Sequence, residues 1–327
     1  MPYFSWMLSD FEKDLISYQK LQERLIAIAQ GLHTVKPRLI NNPSQAHHYI
    51  PRHFIDGFLN EKKMLWRYDK VKDKIVKNQQ GPKGVFFEFN RNSVQIDDKF
   101  YPIFEHYHSI VDSITPFALK LLRCDGQLLT DSLISDLYEY LALLIVDLYW
   151  RNPNTDALFD RMYNSQSIYV KDSEQSLTPE EIAHVRTFPE TKQQVRINLA
   201  LESIRKTQEY LLNNVVKHGM VRFSSAQLCL GDVPYIMRKT PNEHIDLIRM
   251  PMFLPISSNK LYVRNLKPDF AWDLVDRAML NALVIEQSSS MVVCAEKPVL
   301  ELAIKTHKIA KSQSLFIPFK AKLFGLA

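Results

Sequence analysis

Apolar positions at Phe11, Leu15, Tyr18, Leu25, Ala29 and Leu32 recur near heptad spacing and predict a long first helix. Ser9 can cap it with Glu12 three residues on, and Gly31 and Pro37 end it. This N-terminal helical extension, residues 1–40, either docks on the body or pairs with a partner protein or a second copy. Residues 64–68 and 85–89 are rich in aromatic and β-branched side chains and predict strands, with Gly81-Pro82 marking a turn between them. The period becomes helical from 101 to about 123, where Pro116 predicts a kink or break. A second helix is predicted from about 131 to 150. It is apolar nearly all round, through Leu137, Tyr140, Leu141, Leu143, Leu144, Ile145 and Leu148, so it is expected to be central. Asn152-Pro153 stops it. Thr178-Pro179-Glu180-Glu181 reads as a helix start, and a long helix is predicted over 192–217, ended at Gly219. Beyond it the pattern predicts strands at 221–230, 234–237, 245–254, 261–263 and 291–294, and a helix over 270–285.

Strands and helices are thus segregated, which is an α+β pattern. The expected architecture is predominantly helical, with a small N-terminal β unit and a C-terminal antiparallel β unit around a central helical block. The body is read as one domain over 41–300, with its helical block at about 101–218 and its β-rich part at about 219–295. A basic C-terminal tail is expected over 301–327.

Charge changes the picture in two places. Residues 61–83 carry eight Lys/Arg against three acids, an excess of five that equals the formal net charge of the whole chain, +5. Lys305, Lys308, Lys311, Lys320 and Lys322 follow Glu301 with no further acid. Such patches suit a nucleic-acid phosphate backbone. They also suit strand edges, where lysine discourages aggregation. The longest apolar stretch, 141–150, is broken by Asp147 and is far short of the roughly 20 residues that span a bilayer, so no membrane contact is expected. The three cysteines, Cys124, Cys229 and Cys294, form no CxxC pair and read as buried thiols of a reducing compartment. With no secretory pattern at residues 1–14, a cytoplasmic location is expected.

Several short motifs fall in a recognisable order. His48, Pro51, Phe58 and the run Trp66-Arg67-Tyr68-Asp69-Lys70 come first. Phe104-Glu105, Arg151-Asn152-Pro153, Gly231-Asp232-Val233-Pro234, the segment from Phe253 to Ser257, and Asn281 follow. In this order the chain resembles the prokaryotic domain-of-unknown-function family 4238, which opens on a His-x-x-Pro motif. The family usually places a small hydroxyl residue where Asn152 stands, and favours Ser-Asp-Asn-Pro where this chain has Gly231 to Pro234. The resemblance spans about 46–294 and implies kinship, since the family carries no established activity.

Candidate chemistry centres on these residues. His48 could serve as a general base near neutral pH, and Arg52 could hold a phosphate in its N–H fork. The alternative is that His48 bonds the loop backbone while Pro51 sets a helix start. Glu105, His108 and Asp112, at i, i+3 and i+7, share one helix face and could bind a divalent cation with Asp232 or His48 as a further ligand. A solvated polar face is the other reading. Arg151, leaving an apolar helix, either faces a ligand or pairs with Asp232 or Glu105. Asp232, at a strand end, either acts on a ligand or shapes its own turn. P-loop, Rossmann, Gly-x-Ser-x-Gly, His-Glu-x-x-His and kinase motifs are missing, which disfavours those reaction classes.

The leading expectation is a metal-dependent phosphodiesterase or nuclease acting in bacterial defence or conflict. Its catalytic residues would be His48, Arg52, Arg151 and Asp232, and Glu105, His108 and Asp232 would hold Mg or Mn. The alternative is a non-catalytic sensing or protein-binding module whose polar residues form a structural network.

Overall fold

The computed structural model describes residues 46–96, 99–101, 103–123, 131–165, 178–185, 187, 192, 195–196, 199–200, 202–203, 206–207, 210, 216–238, 246–266 and 272–325. The expected first helix lies outside them. The chain is α+β, and its strands pair antiparallel.

Strand β1 (Ala46–His48) pairs with β4 (Phe87–Phe89), setting His48 opposite Phe87. Pro51 begins the short helix α1 (Arg52–Ile55), which buries Phe54 and Ile55. Between these lie β2 (Trp66–Asp69) and β3 (Lys74–Ile75), a hairpin, and a second hairpin follows from β5 (Val94–Ile96) and β6 (Lys99–Tyr101).

Two long helices form the centre. Helix α2 (Ile103–Arg123) runs on through Pro116, which is a continuous passage rather than the break its sequence predicts. Helix α3 (Asp131–Arg151) buries every residue from Tyr140 to Arg151. Asp147 is 0 % exposed among these apolar neighbours. A 3₁₀ turn at Pro153–Thr155 then leads to α4 (Asp156–Ser165), and α5 (Pro179–Val185) follows. The described residues within 192–210 are helical, and the Trp150 indole N–H bonds Ser203 Oγ at 2.9 Å to tie that stretch to α3.

One four-stranded sheet has the order β7 (His218–Arg222), β11 (Lys260–Arg264), β10 (Met252–Ser257), β9 (Ile236–Met237). The other has the order β3, β2, β12 (Met291–Cys294), β8 (Leu230–Gly231). The second sheet joins chain segments more than 200 residues apart, with Trp66 opposite Cys294 and Asp69 opposite Met291. Part of the N-terminal β segment, β2 and β3, therefore shares a sheet with β12 and β8 of the C-terminal one, while β1–β4, β5–β6 and the β7-β11-β10-β9 sheet each pair within their own segment. Helix α7 (Leu274–Gln287) and helix α8 (Lys297–Ser312) pack on each other and against this sheet, followed by α9 (Phe316–Leu323). Most of the segment read as a basic tail is therefore helical, and its Ala303, Ala310, Phe319 and Leu323 are buried in the second apolar core.

Two strand expectations fail for physical reasons. The strand expected over 221–230 stops at Arg222, because Gln227 and Leu228 donate instead to Ser258 O, at 2.6 and 2.8 Å. Asn281 then holds this irregular stretch, accepting from Cys229 N–H at 2.9 Å and donating to Gln227 O at 2.7 Å. The strand expected over 245–254 is a helical turn, α6 (Asp246–Arg249), before Pro251 and the start of β10. Among the described residues no helix is long and apolar enough to cross a membrane.

Candidate functional site

The charged residues of α2 and α3 meet in a buried chain. His108 Nδ1 lies 2.7 Å from Asp147 Oδ1. Asp147 Oδ2 accepts from Arg151 one helical turn later, at 3.3 Å. Arg151 reaches back across the interface to grip both oxygens of Asp112, at 2.9 and 3.1 Å. A two-pronged guanidinium–carboxylate pair of this kind is geometrically demanding and strong. Only Asp112 reaches solvent, with 31 % of its side chain exposed.

Electrostatics fixes the protonation states. Burial pushes the Asp147 carboxyl up, but His108 and Arg151 overcome it and hold the group below the usual carboxylate range. Burial, and then repulsion by Arg151, hold the His108 imidazole below its ordinary value against the pull of Asp147. Neutral His108 therefore donates its Nδ1–H to ionised Asp147, which can only accept.

A second polar centre adjoins the first through Asn152. Its side-chain oxygen accepts from Asn154 N–H at 2.9 Å, while its Nδ2 donates to the backbone oxygen of Asp232. The Asp232 carboxylate is in turn saturated. It accepts from Ser289 N–H at 2.8 Å, Ser290 N–H at 2.6 Å, Ser290 Oγ at 2.7 Å and Met291 N–H at 3.1 Å. These donors belong to the turn between α7 and β12. Tyr49, just after β1, is buried near this centre, and burial and then the Asp232 charge push its phenol up. Arg91 closes the ring, donating to Arg151 O at 2.9 Å and forking onto Asp156 at 2.9 Å.

Helix α1 is clamped from below. Arg123 donates to His53 O at 2.8 Å, Phe54 O at 2.7 Å and Ile256 O at 2.7 Å, which satisfies carbonyls that a short helix leaves open. Buried Lys260 donates to Leu122 O at 3.4 Å and to Arg123 O, placing a cation at the C-terminus of α2. His53 Nε2 lies 2.7 Å from Thr115 Oγ1, whose own proton goes to Val111 O at 3.0 Å, so the imidazole is the donor. Burial pulls His53 down to about 4.

The family described as "Protein of unknown function (DUF4238)" matches residues 46–297, well over half of the chain. This chain belongs to that family. No curated protein and no solved structure matches it.

The candidate residues are distributed as follows. His48 sits buried on β1 with its ring 5.9 Å from that of Phe87. Arg52 is exposed at the start of α1. Arg151 and Asp232 are brought together through Asn152, which follows the one and bonds the backbone of the other. His108 and Asp112 share the face of α2 that meets α3, where Asp147 and Arg151 engage them. Arg151 thus pairs with Asp112 and Asp147, while Asp232 spends its carboxylate on the 289–291 turn. The Glu105 side chain lies outside the described residues. Among the described residues no group of three or more His, Cys, Asp or Glu side chains is placed to hold a metal ion. Around His108 and Asp112 the positive charge is supplied by the Arg151 guanidinium itself.

Asp147, Arg91, Asp156, Arg123 and Lys260 escaped the sequence reading. For Asp147 a signal existed. An acid inside an otherwise apolar helix, four residues before an arginine, must find a partner to be buried at all.

Proposed function

We propose that this DUF4238 protein is a non-catalytic binding module whose polar motif residues lock its helical centre to its sheets. The observation that carries this reading is the Asp232 carboxylate with its four donors, all from the chain's own 289–291 turn. A carboxylate so engaged fixes a turn. To bind a metal it would have to surrender hydrogen bonds to charged-group acceptors worth about 1.5–3 kcal/mol each. Partner contact then falls to the outer surface, and the free buried thiols Cys229 and Cys294 suit a cytoplasmic setting.

The test pairs melting with hydrolysis. Asp232→Asn keeps the shape but weakens the acceptor, and is expected to lower the melting temperature by several degrees. The wild-type protein with Mg or Mn is expected to leave duplex DNA and bis(p-nitrophenyl) phosphate intact. Metal-dependent cleavage that is lost on His48→Ala at unchanged melting temperature would overturn the proposal.

One observation favours a second reading, the metal-dependent phosphodiesterase. The His108–Asp147 pair is a carboxylate-oriented imidazole, and Asp112 beside it opens to solvent. In that reading His48 is the base, Arg52 and Arg151 hold phosphate, and Glu105, His108 and Asp232 hold Mg or Mn.

A further inference from the structure

The two basic segments of the sequence lie some 230 residues apart, yet they form one surface. Lys308 on α8 bonds Asp73 at the tip of the β2–β3 hairpin, Nζ to Oδ2, at 2.8 Å. Helix α8 packs along β2 and β12, so the hairpin and the helix are fixed side by side. Lys305, Lys308 and Lys311 follow one another at steps of three along α8, and such steps keep side chains adjacent on a helix surface. On the hairpin Lys72 and Lys74 are exposed, and Lys70 lies at its turn, close enough to Lys311 and Glu286 to feel both charges. Lys320 of α9 senses the same Glu286.

Seven lysines (70, 72, 74, 305, 308, 311 and 320) therefore share this face with Asp69, Asp73 and Glu286, all of them already engaged by lysines or by His307, while Glu301, one turn before Lys305, is balanced by its pair with Lys297. Seven minus three leaves four positive charges on one face, most of the +5 carried by the whole chain. A sheet edge that needed lysine only against aggregation would not require a helix from the other end of the chain to add three more. Three lysines spread over about 9 Å of helix, beside two on the adjacent hairpin, offer several cations to neighbouring phosphates of one duplex.

Building on the binding-module reading, we infer that the β2–β3 hairpin and α8 together form a docking face for the phosphate backbone of duplex nucleic acid, read without regard to sequence. The pairing of the two segments through Lys308 and Asp73 sets the spacing of the cationic rows. Contacts of this kind position a duplex and carry no base information.

The experiment is fluorescence anisotropy of the full chain with a labelled 30-base-pair DNA duplex across a KCl series. About four phosphate contacts predict a slope of log K against log[KCl] near −3.6. Lys72→Gln with Lys305→Gln removes two exposed lysines that hold no buried partner. The doubly substituted protein is expected to fold as the wild type does, to bind at least ten-fold more weakly, and to show a slope near half. Unchanged affinity in that variant, or a slope near zero in the wild type, overturns the inference. So does wild-type binding to phosphatidylserine-containing vesicles without binding to the duplex. A denaturing gel of the same samples separates the two claims. Cleaved duplex with Mg present would refute the non-catalytic reading while leaving the docking face standing, and intact but unbound duplex would do the reverse.

Discussion

Arg151→Ala is the perturbation that most directly weighs the buried network. The substitution removes two bonds to Asp112 and one to Asp147, and leaves Asp147, at 0 % exposure, with the hydrogen bond to neutral His108 and no cationic partner among the described residues. Breaking a buried pair by deleting one partner costs about 3–5 kcal/mol, because the surviving charge stays out of water. Each kcal/mol corresponds to about 2–4 °C in a domain of this size, so the melting temperature should fall by about 10 °C. Arg151→Lys should lose an intermediate amount, since an ammonium keeps the charge but cannot fork onto both Asp112 oxygens. Joint replacement, Asp147→Leu with Arg151→Met, should cost less than the two single changes added, because it leaves no fully buried ion behind and the carboxylate that loses Arg151, Asp112, reaches solvent. Differential scanning fluorimetry at pH 7.5 of the wild type, Arg151→Ala, Arg151→Lys, the two single changes and the double variant reads all of this. A drop below about 2 °C for Arg151→Ala, or strict additivity in the double variant, would refute the reasoning.

Three further outcomes follow from other sites. His53 and His218 are each pulled down to about 4, mainly by burial, and His108 is lowered too, so the unfolded chain binds more protons than the folded one between about pH 4 and 6.5. Stability should therefore rise with pH through that window, and His53→Gln should flatten the rise in urea titrations; a pH-independent midpoint would count against it. Cys229 and Cys294 are both buried, and the contact with the Cys294 sulfur, together with burial, pushes the Cys229 thiol well up, so in a Cys124→Ser background neither should react with a thiol reagent before urea unfolds the chain. Gly231→Ser should destabilise, because a Cβ there collides with Ser288 Oγ and approaches Val284 Cγ1 to 3.0 Å, and Ser288→Ala should restore part of the loss in a melting assay.

Local signals carried much of the fold. The periodicity of 131–150 placed the central helix, and the same apolar sweep explains why α3 is buried from Tyr140 onward. The strand at 291–294 and the helix before it were legible for the same reason, since each is wide or long enough to show its period. What periodicity could not supply was pairing. Nothing local to Trp66 says that Cys294 is its cross-strand neighbour, because β register is set by burial and by the turns at both ends. The same gap hid the basic face, whose halves read as two unrelated patches until the β2–β12 ladder joined them. In the polar network the spacing of His108 and Asp112 correctly put both on one side of α2. Their partners on α3 were invisible because Asp147 reads in sequence only as an interruption of an apolar run.

Two of the three places where this chain departs from the family pattern, Asn152 and Gly231, can be understood together. A small hydroxyl residue at 152 could cap the 153–155 turn, as the Asn152 oxygen does by accepting from Asn154 N–H. It could not also extend an N–H to Asp232 O, and that second bond ties the end of α3 to the strand end at β8. At 231 the favoured serine would need the space that Ser288 Oγ occupies while it donates to Val284 O at 2.7 Å. Gly231 thus admits the end of α7 close to β8. That close approach puts the 289–291 turn where its N–H groups reach the Asp232 carboxylate. Loss of a hydroxyl at one position and gain of an amide at the other act on the same joint, where the helical centre meets the sheet. A catalytic centre would tolerate such exchanges poorly, because a nucleophile or a metal ligand has no substitute that merely fills the same space. A joint tolerates them whenever the total of hydrogen bonds and volume across it is kept, which is the condition Asn152, Gly231 and Ser288 meet between them.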